Sequence, residues 1–388
     1  MTVSSLRTEL FDDAAAVAAH HAGWDALAVA SARPYCAPAW LLAWWRHAAL
    51  PRSTLAVAIV RDGDEVIGVG PFSRQPGPLG PTYRTLGWGG SSPVAPLARA
   101  GREPEVAAEL ARALGESGRA AARLRLESTP AGAAWPALLA DGWPGDRRPE
   151  IVPRASAVAP AVSLGHRDLD AWLGTRSQNF RQQMRRSRRA VEAAGGRFRL
   201  VTREHLDRDV DALVRLHHAR WKRRGGSAAL DARFEGVLRD AGSALVDDGR
   251  YRLWSLDVEG RSISTHLFLS AGGTQSYWLG GFDEAWAAQR PALLVLVAAV
   301  QHGIDLGEDR LDLGPGAADY KYRFADTEER FDAVDVVPAG IRAALIRRDV
   351  QARRIARPLK QRLEDAVVSR LAVVRDRARS APRGTGST

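Results

Sequence analysis

The sequence predicts an α/β protein built from two related halves, and three observations carry that reading. Helices, a hairpin, a third strand, a helix and a further strand follow one another over roughly residues 12–127. The same order returns over roughly 168–314. The third observation is the stretch from Gly280 to Phe324, where a strand, an apolar helix opened by Pro291 and a second strand end in Asp319-Tyr320-Lys321-Tyr322. The repetition is one of pattern rather than of residues.

In chain order, the first segment to about Leu50 reads as helical, with Pro38 starting an aromatic-rich helix. Thr54–Arg61 and Val66–Arg74 are β-rich runs separated by Asp62-Gly63-Asp64-Glu65, the chemistry of a hairpin. A Pro/Gly-rich loop from Pro76 to Pro96 carries a strand near Arg84–Trp88. Glu103–Leu114 is helical, Arg123–Glu127 alternates as a strand, and Ala131–Ala140 returns to helix. Gly142–Pro160, rich in Pro, Gly and Arg, reads as the connection between domains. Asp168–Ala194 follows as one helix, apolar on one face and carrying Arg176, Arg181, Arg185, Arg186, Arg188 and Arg189 on the other. Asp207–Arg223 is a second helix, and Arg252–Val258 with Ser262–Ser270 a second hairpin. Gln275–Gly281, Arg310–Gly314 and Phe331–Val337 are strands. The expected domains are therefore 1–150 and 151–338, followed by a basic, amphipathic helical segment at 339–388, which Pro358 should kink or break.

Composition narrows the chemistry. The net charge of +10 comes from arginine, since lysine occurs only at Lys222, Lys321 and Lys360. Such Arg and Ala usage suits a GC-rich genome before it argues for a polyanionic partner. With Cys36 alone there is neither a disulfide framework nor a thiolate metal site, and no metal is expected. Met1–Asp13 lacks a basic stretch followed by an apolar run, so no signal peptide is expected. The longest apolar run, 291–300, is too short to span a bilayer, which predicts a cytoplasmic or membrane-peripheral protein. A hydrolase elbow, a His-Glu-x-x-His zinc motif, a P-loop and a dinucleotide fingerprint are all missing.

The start of the Pro291 helix is the first candidate site. Proline suits the first helical position, and the apolar run behind it predicts a buried helix whose N-terminus, flanked by Gln289 and Arg290, presents amides and a positive dipole to an anion. The corresponding helix of the first half begins Arg102-Glu103-Pro104-Glu105, whose carboxylates would repel a phosphate. Donor binding is therefore expected in the second half only. Lys321 reads either as a stabiliser of negative charge or as a lysine capping the sheet. Tyr320 and Tyr322 could protonate a leaving group, and Asp319 and Asp283 could act as bases or simply shape turns. Arg220 could hold substrate or pair with a buried acid; Trp221 and His217 fit packing; His266 lies in a strand beside the proposed cleft.

Four runs together resemble a known family. They are Ser177-Gln178-Asn179-Phe180-Arg181 with the arginines after it, Leu216-His217-His218-Ala219-Arg220-Trp221, Gly280-Gly281-Phe282-Asp283, and Leu311-Asp312-Leu313-Gly314 with Tyr320-Lys321. In this order they look like the GNAT-superfamily acyltransferase domain of the CelD type, found in cellulose-biosynthesis-associated proteins. More distantly they are similar to the Fem-type peptidyltransferases. The resemblance covers about Arg154–Phe331 and fades over the first half. It implies tandem GNAT-like folds, with mixed sheets flanked by helices. It further implies transfer of an acyl group, acetyl in the first instance, from acyl-CoA to an amine or hydroxyl of a cell-envelope or polysaccharide-related acceptor. Carried onto this chain, it implies Lys321, Tyr320, Asp319 and His266 as catalytic. Gly280, Gly281, Gln289, Arg290, Pro291 and Ala292 would hold the donor, and Asn179, Arg181, Arg220 and Trp221 the acceptor. The family's pyrophosphate loop has glycines where this chain has Ala292 and Leu294. Fem-type enzymes use an aminoacyl-tRNA donor, the one route by which nucleic acid would be a partner. A non-catalytic module binding a polyanion or a membrane through the C-terminal segment is the third reading.

Overall fold

The computed structural model describes residues 6–88, 93–116, 120–222 and 230–352. The first half runs β1 (Leu6–Phe11), α1 (Ala14–Val17), α2 (His21–Ala30), α3 (Pro38–Ala48), β2 (Thr54–Asp62), β3 (Glu65–Gln75), β4 (Thr82–Thr85) and β5 (Leu97–Ala98). It continues through α4 (Glu103–Glu116), β6 (Arg123–Pro130), α5 (Trp135–Asp141) and β7 (Glu150–Ser163). The second half has α6 (Leu169–Gly174), α7 (Gln178–Ala193), β8 (Arg197–Leu200), α8 (Leu206–Lys222), α9 (Ala232–Leu245), β9 (Tyr251–Val258), β10 (Arg261–Ala271) and β11 (Thr274–Phe282). It ends with α10 (Pro291–Asp305), β12 (Arg310–Asp312), α11 (Asp319–Tyr322) and β13 (Thr327–Val337).

The thirteen strands of the described residues form one sheet in the order β1-β2-β3-β4-β6-β13-β7-β12-β11-β10-β9-β8, with β5 beside β3. Among the described residues only β4–β6 and β11–β12 pair in parallel. A parallel pair needs a crossover, and α4 and α10 supply the two. The two halves exchange their last strands. β7, which ends the first half, pairs with β12 of the second; β13, which ends the second, pairs with β6 of the first. β7 and β13 then run together down the centre.

That exchange corrects the reading of Gly142–Pro160 as a connection. Residues from Glu150 onward are a central strand despite Pro153 and Pro160, which would ordinarily argue against one. Pro153 sits beside the register shift between Ala333 and Val334, where a missing N–H costs little, and the Pro160 carbonyl still accepts the Leu313 N–H (3.0 Å). Three further corrections follow from pairing and capping. β1 was expected as helix but pairs with β2. The Asp168–Ala194 helix breaks at Thr175–Ser177, where the Ser177 side chain caps α7 by accepting from Phe180 N–H. α9, which sequence periodicity did not reveal, is capped by Asp231.

The described residues up to Ala339 form one compact unit. Its central core joins α2 and α3 to α8, α9 and the same face of the sheet, with Trp40 edge-on to Trp278 (5.4 Å). Across this contact Arg46 and His47 both bind Asp240. On the opposite face, α10 is buried among α6, α7 and the second-half strands, as its all-round apolar sequence requires. The second unit begins at Gly340 and has a helix over 343–352. There Ile346 and Val350 are buried while Ile341 and Leu345 are exposed. The expected lipid-facing stripe beyond Ala352, and Pro358 with it, lies outside the described residues. Among the described residues no helix is long and apolar enough to cross a membrane.

Candidate active site

The site begins where two strands part. β11 and β12 pair only over Thr274–Ser276 and Arg310–Asp312. Beyond Ser276, β11 continues to Phe282 against β10 alone, while the other strand turns away at Gly314 (φ +75°) and Gly316 (φ +104°). A Cβ at Gly314 would lie 3.1 Å from the Tyr277 carbonyl, so glycine is what lets the bend pass so close. A β-bulge between Leu267 and Phe268 changes the parity of β11. It brings Tyr277, rather than Trp278, onto the face of His266.

The gap opens into a cavity of about 220 Å³. Its walls are Arg220 from the end of α8, His266 from β10, Tyr277 and Phe282 from β11, and Tyr320 from α11. Ala287, Arg290, Pro291, Ala292, Leu293 and Leu296 complete it from the turn before α10 and its first turns. Among the described residues no carboxylate lines it. Arg220 rests over the Phe282 ring (5.0 Å). His266 is 3 % exposed, stacks on Tyr277 (5.4 Å between centroids), and has no hydrogen-bond partner for either ring nitrogen. Burial, with the Arg220 charge adding to it, pushes its pKa down to about 3, so the ring is neutral. Burial also raises the Tyr277 and Tyr320 hydroxyls above 10, so both stay protonated.

The start of α10 departs from a simple amide site. Its N-cap, Arg290, adopts φ +53°, ψ +48°. For a side-chain-bearing residue that left-handed conformation costs roughly 1–2 kcal/mol. Leu293 and Leu294 already donate their N–H groups to the Arg290 carbonyl (3.0 and 3.3 Å), and Pro291 has none. The side-chain amide oxygen of Gln289, Oε1, is buried without a partner among the described residues. Arg323, at the end of α11, stacks over Phe180 (5.1 Å) and donates to Gln183 Oε1 (2.5 Å).

Of the residues expected at the site, the structure brings His266, Tyr320, Arg220, Arg290, Pro291 and Ala292 to this cavity. The others lie off it. Lys321 is buried beneath the bend and donates to the Gly314 and Pro315 carbonyls (both 2.8 Å). Burial, opposed by Asp312, lowers its pKa from 10.5 to about 8. Asp319 and Asn179 are exposed. Arg181 donates to the Gly174 and Arg176 carbonyls at the end of α6, and the Trp221 ring lies against His217. A Cβ on Gly280 would strike the His266 ring at 2.5 Å, and one on Gly281 the α8 backbone at 2.4 Å. These two glycines make room for protein.

Sequence reasoning did not single out Tyr277, Arg323 or Asp312. Asp312 ends the paired register and lines a second cavity of about 220 Å³ on the opposite face of the sheet, with Arg33, Tyr35, Ser276, Arg310 and Glu329. Burial raises its carboxyl against the pull of the Gly314 N–H (2.9 Å). Its position in Leu311-Asp312-Leu313-Gly314 was visible, but strand alternation alone could not show that it faces a cavity.

Comparison with known proteins agrees with this geometry. Residues 178–322 match a family model described as an acetyltransferase (GNAT) domain. No curated protein matches the chain. Among solved structures, the chain is similar to the C-terminal DUF2156 domain of an Agrobacterium fabrum protein described as a lysylphosphatidylglycerol synthetase. There the identity is 12%, the coverage 87% of this chain and 97% of that one, and the TM-score 0.54. It is similar to FemX at 12% identity, covering 77% and 91%, with a TM-score of 0.53. A tandem GNAT protein from the clavulanic acid biosynthesis pathway gives 14% identity, 86% and 100% coverage, and a TM-score of 0.41. Over residues 178–322 the fold is thus GNAT-like, within an α/β structure whose large mixed sheet is flanked by helices. The CelD-like subtype has no support beyond the sequence resemblance.

Proposed function

We propose that this protein is an acyltransferase that moves an acyl group from acyl-CoA to an amine or hydroxyl acceptor, a cell-envelope or polysaccharide-related saccharide being the acceptor class. The single observation that carries the reading is the cavity at the open end of the β11–β12 pair, lined among the described residues by two arginines and no carboxylate. The match of residues 178–322 to a GNAT domain supports it; the saccharide acceptor rests on the CelD-like resemblance. When bound, the donor supplies an acyl carbonyl activated as a thioester. Arg220 and Arg290 bind its anionic end. Tyr277 Oη and Tyr320 Oη, protonated throughout the working pH range, donate hydrogen bonds into the gap. His266 stays neutral and fills the floor. Asp312 is the proton acceptor we assign to the second cavity, since burial moves its pKa toward the working range. Holding both reactants across one gap supplies much of the rate.

One observation favours a second donor. Without a glycine at its start, and with Leu293 and Leu294 amides already used, α10 lacks the open backbone approach of a pyrophosphate loop. Arg185, Arg186 and Arg189 are exposed on α7. A Fem-like aminoacyl-tRNA donor suits that surface. Thermal-shift titration separates the two, because a ligand bound at 100 times its Kd raises stability by about 2.7 kcal/mol. Stabilisation by CoA and acyl-CoA supports the first reading. A response to aminoacyl-tRNA alone supports the second, and silence with both would end the acyl-transfer proposal.

A further inference from the structure

Arginines in this protein are mostly neutralised: Arg84, Arg125, Arg199, Arg239 and Arg252, among others, each meet a carboxylate. Among the described residues Arg220 and Arg290 in the cavity wall, and Arg323 just after Tyr320, have no carboxylate partner. Arg323 is held by uncharged partners, the Gln183 carboxamide and the Phe180 ring, both on α7. The 284–289 turn that delivers Arg290 packs on the same helix. The two guanidinium groups are near enough that Arg290 helps to lower the pKa of Arg323, second to burial. Both segments thus pack on α7, and among the described residues neither guanidinium has a carboxylate beside it. The second sign is conformational. Position 290 takes a left-handed backbone that glycine adopts freely, yet carries arginine. A third is the floor below, where His266 is buried with both ring nitrogens unpartnered.

We propose that Arg290 and Arg323 form a phosphate clamp: the donor's phosphates are gripped by this guanidinium pair, aligned by Gln183 and Phe180, in place of the backbone amides of the α10 turn. This rests on the acyl-donor reading but is separable from it, because the clamp's ligand is the phosphate and not the acyl group. Arginine suits the task, since its planar fork meets two phosphate oxygens at once.

The test uses the full chain with CoA, pantetheine (the same thiol arm without the adenosine phosphates) and inorganic pyrophosphate, by calorimetry at low salt. The clamp predicts CoA binding at least tenfold tighter than pantetheine. Arg323→Gln and Arg290→Gln should each weaken CoA about tenfold and leave pantetheine unchanged. Arg290→Gly should raise the Tm while still weakening CoA, a split that a purely structural arginine would not give. Arg197→Gln, exposed on β8, should change nothing. If the wild type binds pyrophosphate but neither CoA nor pantetheine, and Arg323→Gln abolishes that binding, the clamp stands and the acyl-CoA reading fails. Equal affinity of the wild type for CoA and pantetheine overturns the clamp. So does unchanged CoA binding in both glutamine variants, parallel loss of CoA and pantetheine, or the absence of any binding, pyrophosphate included.

Discussion

The two crossover helices begin on opposite chemistry. α4 opens with Glu103 and Glu105, and Arg102 closes onto Glu105 (2.9 and 2.6 Å) and Asp62 (3.3 Å). α10 opens with Pro291 and Ala292 and has no acid in its first turn. The strand pairs beneath them differ in the same sense. Arg84 on β4 is tied to Glu127 on β6, which also accepts from Arg154 of β7 (2.8 Å). Arg125 and Arg123 reach the fully buried Asp335 of β13 (2.9 and 3.6 Å). Ion pairs therefore occupy the first half where β4 and β6 meet, whereas the second half leaves a gap where β11 and β12 part. Topology is common to both, and the difference lies in which side chains fill it. A fold supplies places for a site; the residues left unpaired decide which place is used.

That comparison can be broken in four ways, taken from the largest expected effect to the smallest. Glu127→Ala should cost about 3 kcal/mol of stability, because it leaves the largely buried Arg84 without its carboxylate while Arg154 keeps only Asp335 (3.5 Å), and it should leave donor binding intact. Urea unfolding with CoA titration of the folded variant checks it; lost binding in a folded variant would mean that the first half shares the site. Although burial alone would raise the Glu127 carboxyl, Arg84 and Arg154 hold it below its ordinary 4.5, so its stabilisation is present above that value and fades as pH falls.

Next comes Tyr320→Phe, expected to lower kcat about 10²-fold with little change in Tm. An unchanged kcat would remove Tyr320 from the chemistry. Ala292→Asp should follow, giving α10 the acidic start of α4 and weakening CoA about tenfold, whereas Glu105→Ala should leave affinity unaltered. Equal loss in both would contradict a one-sided site. The smallest effect concerns acid stability. The native His266 resists protonation down to about pH 3, whereas in the unfolded chain it titrates near 6.5. The wild type therefore loses stability as pH falls through that window, and His266→Leu should flatten that limb in melts at pH 7 and 4.5. Parallel pH curves would show that the ring is not buried neutral.

Much of this was legible in the residues. The hairpins, both crossover helices and the asymmetry of their first turns follow from local pattern, because β alternation, Pro at N1 and paired acids act over a few residues. What failed depends on partners far away in the chain. β7 is a strand only because β12 and β13 pair with it, and its two prolines point the other way. β1 is a strand only because β2 lies beside it. The same limit governs the site. Arg290, Ala292, Arg220 and His266 could be gathered from motifs, but the bulge that turns Tyr277 inward and the α7 partners that hold Arg323 are tertiary facts. Lys321 shows the reverse, a rare residue in a suggestive motif whose ammonium spends two of its donors on backbone carbonyls under the bend.

The central claim is that one gap, in the second half, takes the donor. Amide hydrogen exchange with and without saturating CoA tests it most directly, since it reports the location as well as the fact of binding. The account predicts slowed exchange over 277–294 and 320–323 and none over 82–86 or 102–110. Protection at the start of α4, or no protection anywhere, would contradict it.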